Sequence, residues 1–104
     1  MDESITITDE AIAQIIQVLE EANMPDGKFR IFITLDNRSG FQYGFAIDDE
    51  VNEDDIVIIK QFQAKNLSIL IDTISIQYLE GATIDYRQKE NTQQFVITNP
   101  NAGK

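Results

Sequence analysis

The chain has no cysteine, no histidine and no tryptophan, and only two prolines in 104 residues. The absence of Cys and His removes thiolate nucleophiles, disulfides, Cys/His zinc sites and the commonest general base together. With no Cys, the redox compartment leaves no trace in the composition. Basic residues are also scarce: 8 Lys and Arg stand against 18 Asp and Glu, for a net charge of -10. Such a surface disfavours nucleic acid and anionic lipid, whose phosphates are bound through Lys and Arg. It suits solubility and basic partners. No apolar run is long enough to span a membrane. The start, Met1-Asp2-Glu3-Ser4, lacks the basic and apolar regions of a secretory signal, so the cytoplasm is the expected location.

What is present suits one domain over residues 1–104, long enough to bury its own core. The apolar fraction of 42% argues against global disorder. The charge is uneven. Residues 1–55 hold 14 acids and 3 bases, and residues 56–104 hold 4 acids and 5 bases.

One long helix is predicted near the start, capped by Thr8 or Asp9. Its apolar stripe is Ile12, Ile15, Ile16, Leu19 and Ala22, and it ends at Asn23 and Pro25-Asp26-Gly27. Alternation then predicts a strand with Phe29, Ile31, Ile33 and Leu35 on one face. A second strand carries Phe41, Tyr43, Phe45 and Ile47, antiparallel to the first across the loop at residues 36–40. The apolar runs at 56–59 and 67–71 read as buried strands, and residues 73–79 as a short helix with Ile74 and Tyr78 on one side. Ala82, Ile84 and Tyr86, then Phe95 and Ile97, mark two more strands, with residues 88–93 turning between them. The expected class is α+β, β-rich, with mostly antiparallel strands, an N-terminal helix and a short second helix. Expected core residues are Ile12, Ile15, Ile16, Leu19, Ile31, Ile33, Phe41, Tyr43, Ile58, Ile69, Ile84, Phe95 and Ile97.

Candidate chemistry is thin. Asp48, Asp49, Glu50, Asp54 and Asp55 could offer oxygens to a hard cation. Their spacing is not that of an EF-hand, and a solvated charged loop is the plainer reading. Asp72, Glu80 and Asp85 have no evident partner nucleophile, and caps and turns explain them. No enzymatic activity and no bound cofactor are expected. In the loop Asn37-Arg38-Ser39-Gly40, Ser39 and Gly40 suit a tight turn, and Arg38 could clamp an anion or a carboxylate.

Three segments together resemble the HesB/IscA family of A-type iron–sulfur carriers. Arg38-Ser39-Gly40-Phe41-Gln42-Tyr43 is similar to the family's Cys-Ser-Gly-x-x-Tyr loop. Leu70-Ile71-Asp72, Ser75 and Tyr78-Leu79-Glu80-Gly81-Ala82-Thr83-Ile84-Asp85-Tyr86 form the second. Phe95-Val96-Ile97-Thr98-Asn99-Pro100-Asn101-Ala102 forms the third. The Ile5–Ala11 helix entry and Asn52-Glu53-Asp54-Asp55 fit the same pattern. The resemblance implies a compact β-rich fold, often dimeric, whose members pass iron or a cluster to other proteins. Its ligands would be one cysteine in the first loop and a Cys-x-Cys pair after Asn-Pro-Asn. Here Arg38 stands at the first ligand position, and the sequence ends at Gly103-Lys104 before such a pair. Truncation would account for the absent tail but not for Arg38. A guanidinium has no lone pair to offer and repels a cationic metal.

The resemblance therefore suggests an accessory or protein-interaction module of iron–sulfur cluster biogenesis that does not ligate a cluster by itself. The alternative is a carrier using oxygen ligands or a partner's cysteines. A protein partner or self-association, as a homodimer, is expected. Arg38, Ser39, Gly40, Asn99 and Asn101 are the candidate relict-site or interaction residues, expected near one another because the family's ligands must converge.

Overall fold

A computed structural model describes residues 5–36 and 40–100. In chain order the elements are β1 (Thr6–Ile7), α1 (Asp9–Glu21), β2 (Lys28–Asp36), β3 (Gly40–Asp48), β4 (Asp55–Phe62), β5 (Lys65–Asp72), α2 (Thr73–Leu79), β6 (Thr83–Lys89) and β7 (Thr92–Thr98). They form a four-stranded sheet, β3-β2-β5-β4, and a three-stranded sheet, β1-β6-β7. The hairpins β2–β3, β4–β5 and β6–β7 are antiparallel, whereas β2–β5 and β1–β6 run parallel. The class is the expected α+β.

Helix α1 begins where Thr8 Oγ1 accepts the Ala11 N–H at 3.2 Å, so Thr8 rather than Asp9 is the cap. It buries Ala11, Ile12, Ile15 and Leu19, and lies against β6 and β4. Asn23, at φ 60°, turns the chain out of the helix. Alternation in β2 buries Phe29 and Ile31 and half-buries Ile33. The sheets meet through Phe29, Phe45 and Phe95, whose ring centroids lie 5.1–5.8 Å apart, with Tyr86 edge-on to Phe95 at 5.1 Å.

Ser75, on α2, extends the β2–β5 pairing. Parallel pairing stops at Ile31↔Ile71, and Ser75 Oγ then accepts the Ile33 N–H at 3.0 Å. Asp72 caps α2 through the Ser75 N–H at 2.7 Å and takes the Ser75 hydroxyl at 3.0 Å. A buried polar side chain thus satisfies a strand donor that would otherwise be orphaned.

Helix α2 covers the expected residues 73–79; it buries Ser75 and Leu79, leaves Ile74 68% exposed and accepts the Ile33 N–H of β2 through Ser75. Three expectations need correction. Residues 56–59 are not a buried strand. They lie in β4 at the sheet edge, where Ile58 is buried but Val57 is 42% and Ile59 60% exposed. The β6–β7 turn is only Glu90-Asn91, both with positive φ, the backbone of a two-residue hairpin loop. The helix entry also contains a strand, since Thr6 and Ile7 pair with Thr83 and Ile84. Of the expected core, Ile12, Ile15, Leu19, Ile31, Ile58, Ile69 and Ile84 are buried. Ile16, Ile33, Tyr43, Phe95 and Ile97 pack against them half-buried. The Phe41 side chain lies outside the described residues.

Candidate functional site

The β2–β3 ladder closes at Asp36↔Gly40. Gly40 has φ 79°, a backbone region that glycine enters without steric penalty. Three residues on, Tyr43 sits opposite Ile33 with its ring half-buried against the core. Its hydroxyl accepts a hydrogen bond from Asn99 Nδ2 at 3.3 Å. The same amide nitrogen donates to the Tyr78 carbonyl at 2.7 Å. Asn99 lies one residue beyond β7 and Tyr78 in the last turn of α2. One side-chain amide therefore ties the start of β3, the end of α2 and the end of β7 into one corner.

The next residue tightens that corner. Pro100 lies so close to Gly81 that a Cβ on Gly81 would sit 3.1 Å from the proline Cγ. Gly81 also has φ 80°, so both its backbone and its neighbour favour glycine. The three segments carrying the family resemblance are thus in mutual contact. Asn99 belongs to this corner, while Gly40 lies three residues before Tyr43 at the end of the β2–β3 ladder. Arg38, Ser39 and Asn101 lie outside the described residues.

The named groups at the corner are a phenol, an amide and a backbone carbonyl, all neutral. None is a thiolate or imidazole, and residues 1–104 contain no Cys or His. This donor set does not fit an iron–sulfur cluster, which soft thiolates hold. Among the described residues, no group of three or more acidic, His or Cys side chains is arranged to hold a metal ion.

The acidic loop is organised by a residue that the sequence reading passed over. Arg30 on β2 grips Asp55 in bidentate fashion, Nη1 to Oδ1 at 2.6 Å and Nη2 to Oδ2 at 2.9 Å. It also donates to Asp48 Oδ2 from Nε at 3.3 Å and Nη2 at 3.2 Å. The Asp55 side chain is fully buried, and it accepts the Asn52 N–H at 2.7 Å. Hydrogen bonding from Arg30 holds the Asp55 carboxyl below its ordinary value, against the opposing effect of burial. Asp48 is also lowered, mainly by the Glu50 N–H. Arg30 in turn holds its proton more tightly, chiefly through Asp55. Two of the loop carboxylates are thus structural, while Asp49, Glu50, Glu53 and Asp54 are exposed. Sequence carries no local signal for the clasp, since Arg30 sits between Phe29 and Ile31 and its partners are 18 and 25 residues away.

Asp72 caps α2, and Asp85 accepts the Thr8 hydroxyl at 2.7 Å, which lowers its pKa. Asp72 is thus the expected cap, whereas Asp85 lies within β6, opposite Val96, rather than at a cap or turn.

Comparison with known proteins gives a consistent result. Residues 3–104 match the family described as iron-sulphur cluster biosynthesis. The putative iron-sulfur cluster insertion protein ErpA of Ralstonia pickettii is 47% identical, over 94% of this chain and 76% of that one. Among solved structures, Escherichia coli SufA, involved in biosynthesis of iron-sulfur clusters, superposes with a TM-score of 0.71 at 20% identity, covering 94% of this chain and 82% of SufA. IscA with its [2Fe-2S] cluster gives 0.70 at 22%, covering 96% and 86%. At these identities the two structures establish the fold.

Proposed function

This chain belongs to the iron–sulphur cluster biosynthesis family, and we propose that within it the chain acts as a protein-interaction module rather than as an enzyme or a thiolate carrier. The observation that carries this reading is a mismatch between scaffold and donors. The corner built by Tyr43, Tyr78, Gly81, Asn99 and Pro100 is closely tied, yet Arg38 stands where the resemblance places the first ligand cysteine, and residues 1–104 hold no Cys. A scaffold with an Arg at that position suits recognition of a protein, since a guanidinium pairs bidentately with a carboxylate.

Anaerobic reconstitution with iron and sulfide tests the reading. The expected result is no stable cluster absorbance and no stoichiometric iron in protein freed of small thiols. A cluster bound by the isolated chain would overturn it. The relatives named as cluster insertion proteins favour a second reading, a carrier that borrows a partner's cysteines. That reading predicts cluster absorbance only when the cysteine-bearing partner is added.

A further inference from the structure

The connection between β3 and β4, residues 49–54, has to cross the sheet. In the order β3-β2-β5-β4 the two strands it joins are at opposite edges. It leaves beside the start of β2, where Asp48 pairs with Lys28, and enters beside the end of β5, where Asp55 pairs with Asp72. Phe29 and Ile31 are buried in the core, so Arg30 between them points to the other face of the sheet. Arg30 bonds Asp48, the Glu50 carbonyl and Asp55, which puts the crossing on that outer face. Leu70, the ladder neighbour of Arg30, shares the face, and it is fully buried although it is no part of the main core cluster.

All four large apolar side chains that are exposed among the described residues belong to this side of the molecule. Val57 and Ile59 flank the buried Ile58 and so point outward from β4, 42% and 60% exposed. Val51, 48% exposed, is on the crossing itself. On α2, Ile76 packs against the core. Ile74, about 200° away around the helix, points away from the core, and it is 68% exposed. The Thr73 N–H donates to the Asp54 carbonyl at 3.1 Å, so Ile74 stands beside the end of the crossing. Among these apolar groups are four exposed acids, Asp49, Glu50, Glu53 and Asp54. The bases of the sheet leave them unbalanced. Arg30 is engaged by Asp55 and Asp48. Lys60 alternates in step with Ile58, and Lys65 with Leu67, so both belong to the core side.

We propose that this face docks a basic amphipathic helix of another protein, its apolar stripe on Ile74, Val51 and Val57 and its Lys or Arg side chains beside the crossing. An apolar patch interleaved with charge of one sign selects an occupant that carries apolar groups and the opposite charge. A second copy is a poor occupant, because it presents the same acids on a chain of net charge -10. An anionic lipid surface is repelled for the same reason. The face is separate from the corner at Asn99, and the inference does not depend on what binds there.

Fluorescence anisotropy of a labelled synthetic amphipathic helix of Leu and Lys, titrated with the full chain, tests this. Saturable binding that weakens with added salt is expected. A scrambled peptide of the same composition should bind about fivefold more weakly or worse, because it lacks the apolar stripe. Ile74→Ser should raise the dissociation constant about fivefold or more, with unchanged circular dichroism. Glu53→Lys combined with Asp54→Lys should do the same. Glu10→Lys combined with Glu90→Lys makes the same change in net charge on α1 and the β6–β7 turn, and should alter binding less than about twofold, since distant charges are screened. Absence of saturable binding overturns the proposal. Equal binding of the scrambled peptide, equal weakening by the two pairs of lysines, or indifference to Ile74→Ser overturns it too, leaving only general attraction between opposite charges. Sedimentation velocity on the chain alone completes the test: a dimer that Ile74→Ser dissociates would give the face to a second copy and overturn the helix.

Discussion

The two ends of the β2–β3 hairpin are fastened by opposite chemistry. At the Lys28↔Asp48 end, Arg30 joins β2, β3 and β4 through two carboxylates. Near the Asp36↔Gly40 end, Tyr43 is joined to α2 and β7 through a neutral amide. The first end is a partly buried charge cluster in which Arg30 serves both the buried Asp55 and the half-exposed Asp48. The named contacts at the second join neutral groups. The difference separates an end fastened by charge from an end fastened by neutral hydrogen bonds.

The strongest way to break that contrast is at Arg30. Arg30→Met keeps the aliphatic stem but leaves the buried Asp55 without its cation, and should cost about 3 kcal/mol by urea denaturation. Arg30→Lys should recover part of this, since an ammonium cannot reproduce the bidentate fork. The same end should dominate the acid response. The pKa values of Asp55 and Asp48 are lowered in the folded state, so the unfolded chain binds protons first as pH falls. Their contribution is therefore complete above the ordinary carboxylate range and is lost as pH drops below about 4 through the folded values. Chemical denaturation at stepped pH should show this loss in the native chain and a shallower one in Arg30→Met.

At the other end the expected effects are smaller. Gly81→Ala should cost about 2 kcal/mol, from the left-handed backbone and from contact with Pro100. Asn99→Ala removes two hydrogen bonds and should cost about 1.5 kcal/mol. Neither should steepen the acid dependence, because the contacts named at this corner include no carboxylate. A steeper acid slope in Asn99→Ala would show that the two ends are coupled after all.

Both ends bear on how far the sequence could be read. Local periodicity made the elements legible: the Ile12, Ile15, Leu19 stripe and the Phe29, Ile31, Ile33 alternation both mark buried faces. What remained hidden was decided by pairing between distant residues. A run such as Ile56 to Ile59 looks the same at a sheet centre and at its edge, and only the order β3-β2-β5-β4 exposes Val57 and Ile59. Arg30 pairs with Asp55, 25 residues away, so no local window contains the clasp. Ser75 is buried instead of Ile74 because a backbone N–H on β2 needs an acceptor. The corner was legible only through the family resemblance, since Tyr43 and Asn99 are 56 residues apart.

The smallest expected change in stability lies at Arg38, and it is the most informative about function. Arg38 lies in sequence between Asp36 and Gly40, the last ladder pair of the β2–β3 hairpin. Arg38→Ala should alter stability by no more than about 0.5 kcal/mol. If the residue anchors an acidic group of a partner, the same substitution should weaken that complex by about 1 kcal/mol or more, measured by calorimetry against each partner identified. Arg38→Lys then separates geometry from charge. An ammonium keeps the charge but not the planar fork, so a bidentate contact should remain weakened in Arg38→Lys, whereas simple attraction should be restored. Unchanged affinity in both variants would remove Arg38 from the interaction surface. The neutral end of the hairpin would then be a scaffold whose first ligand position has no remaining part in recognition.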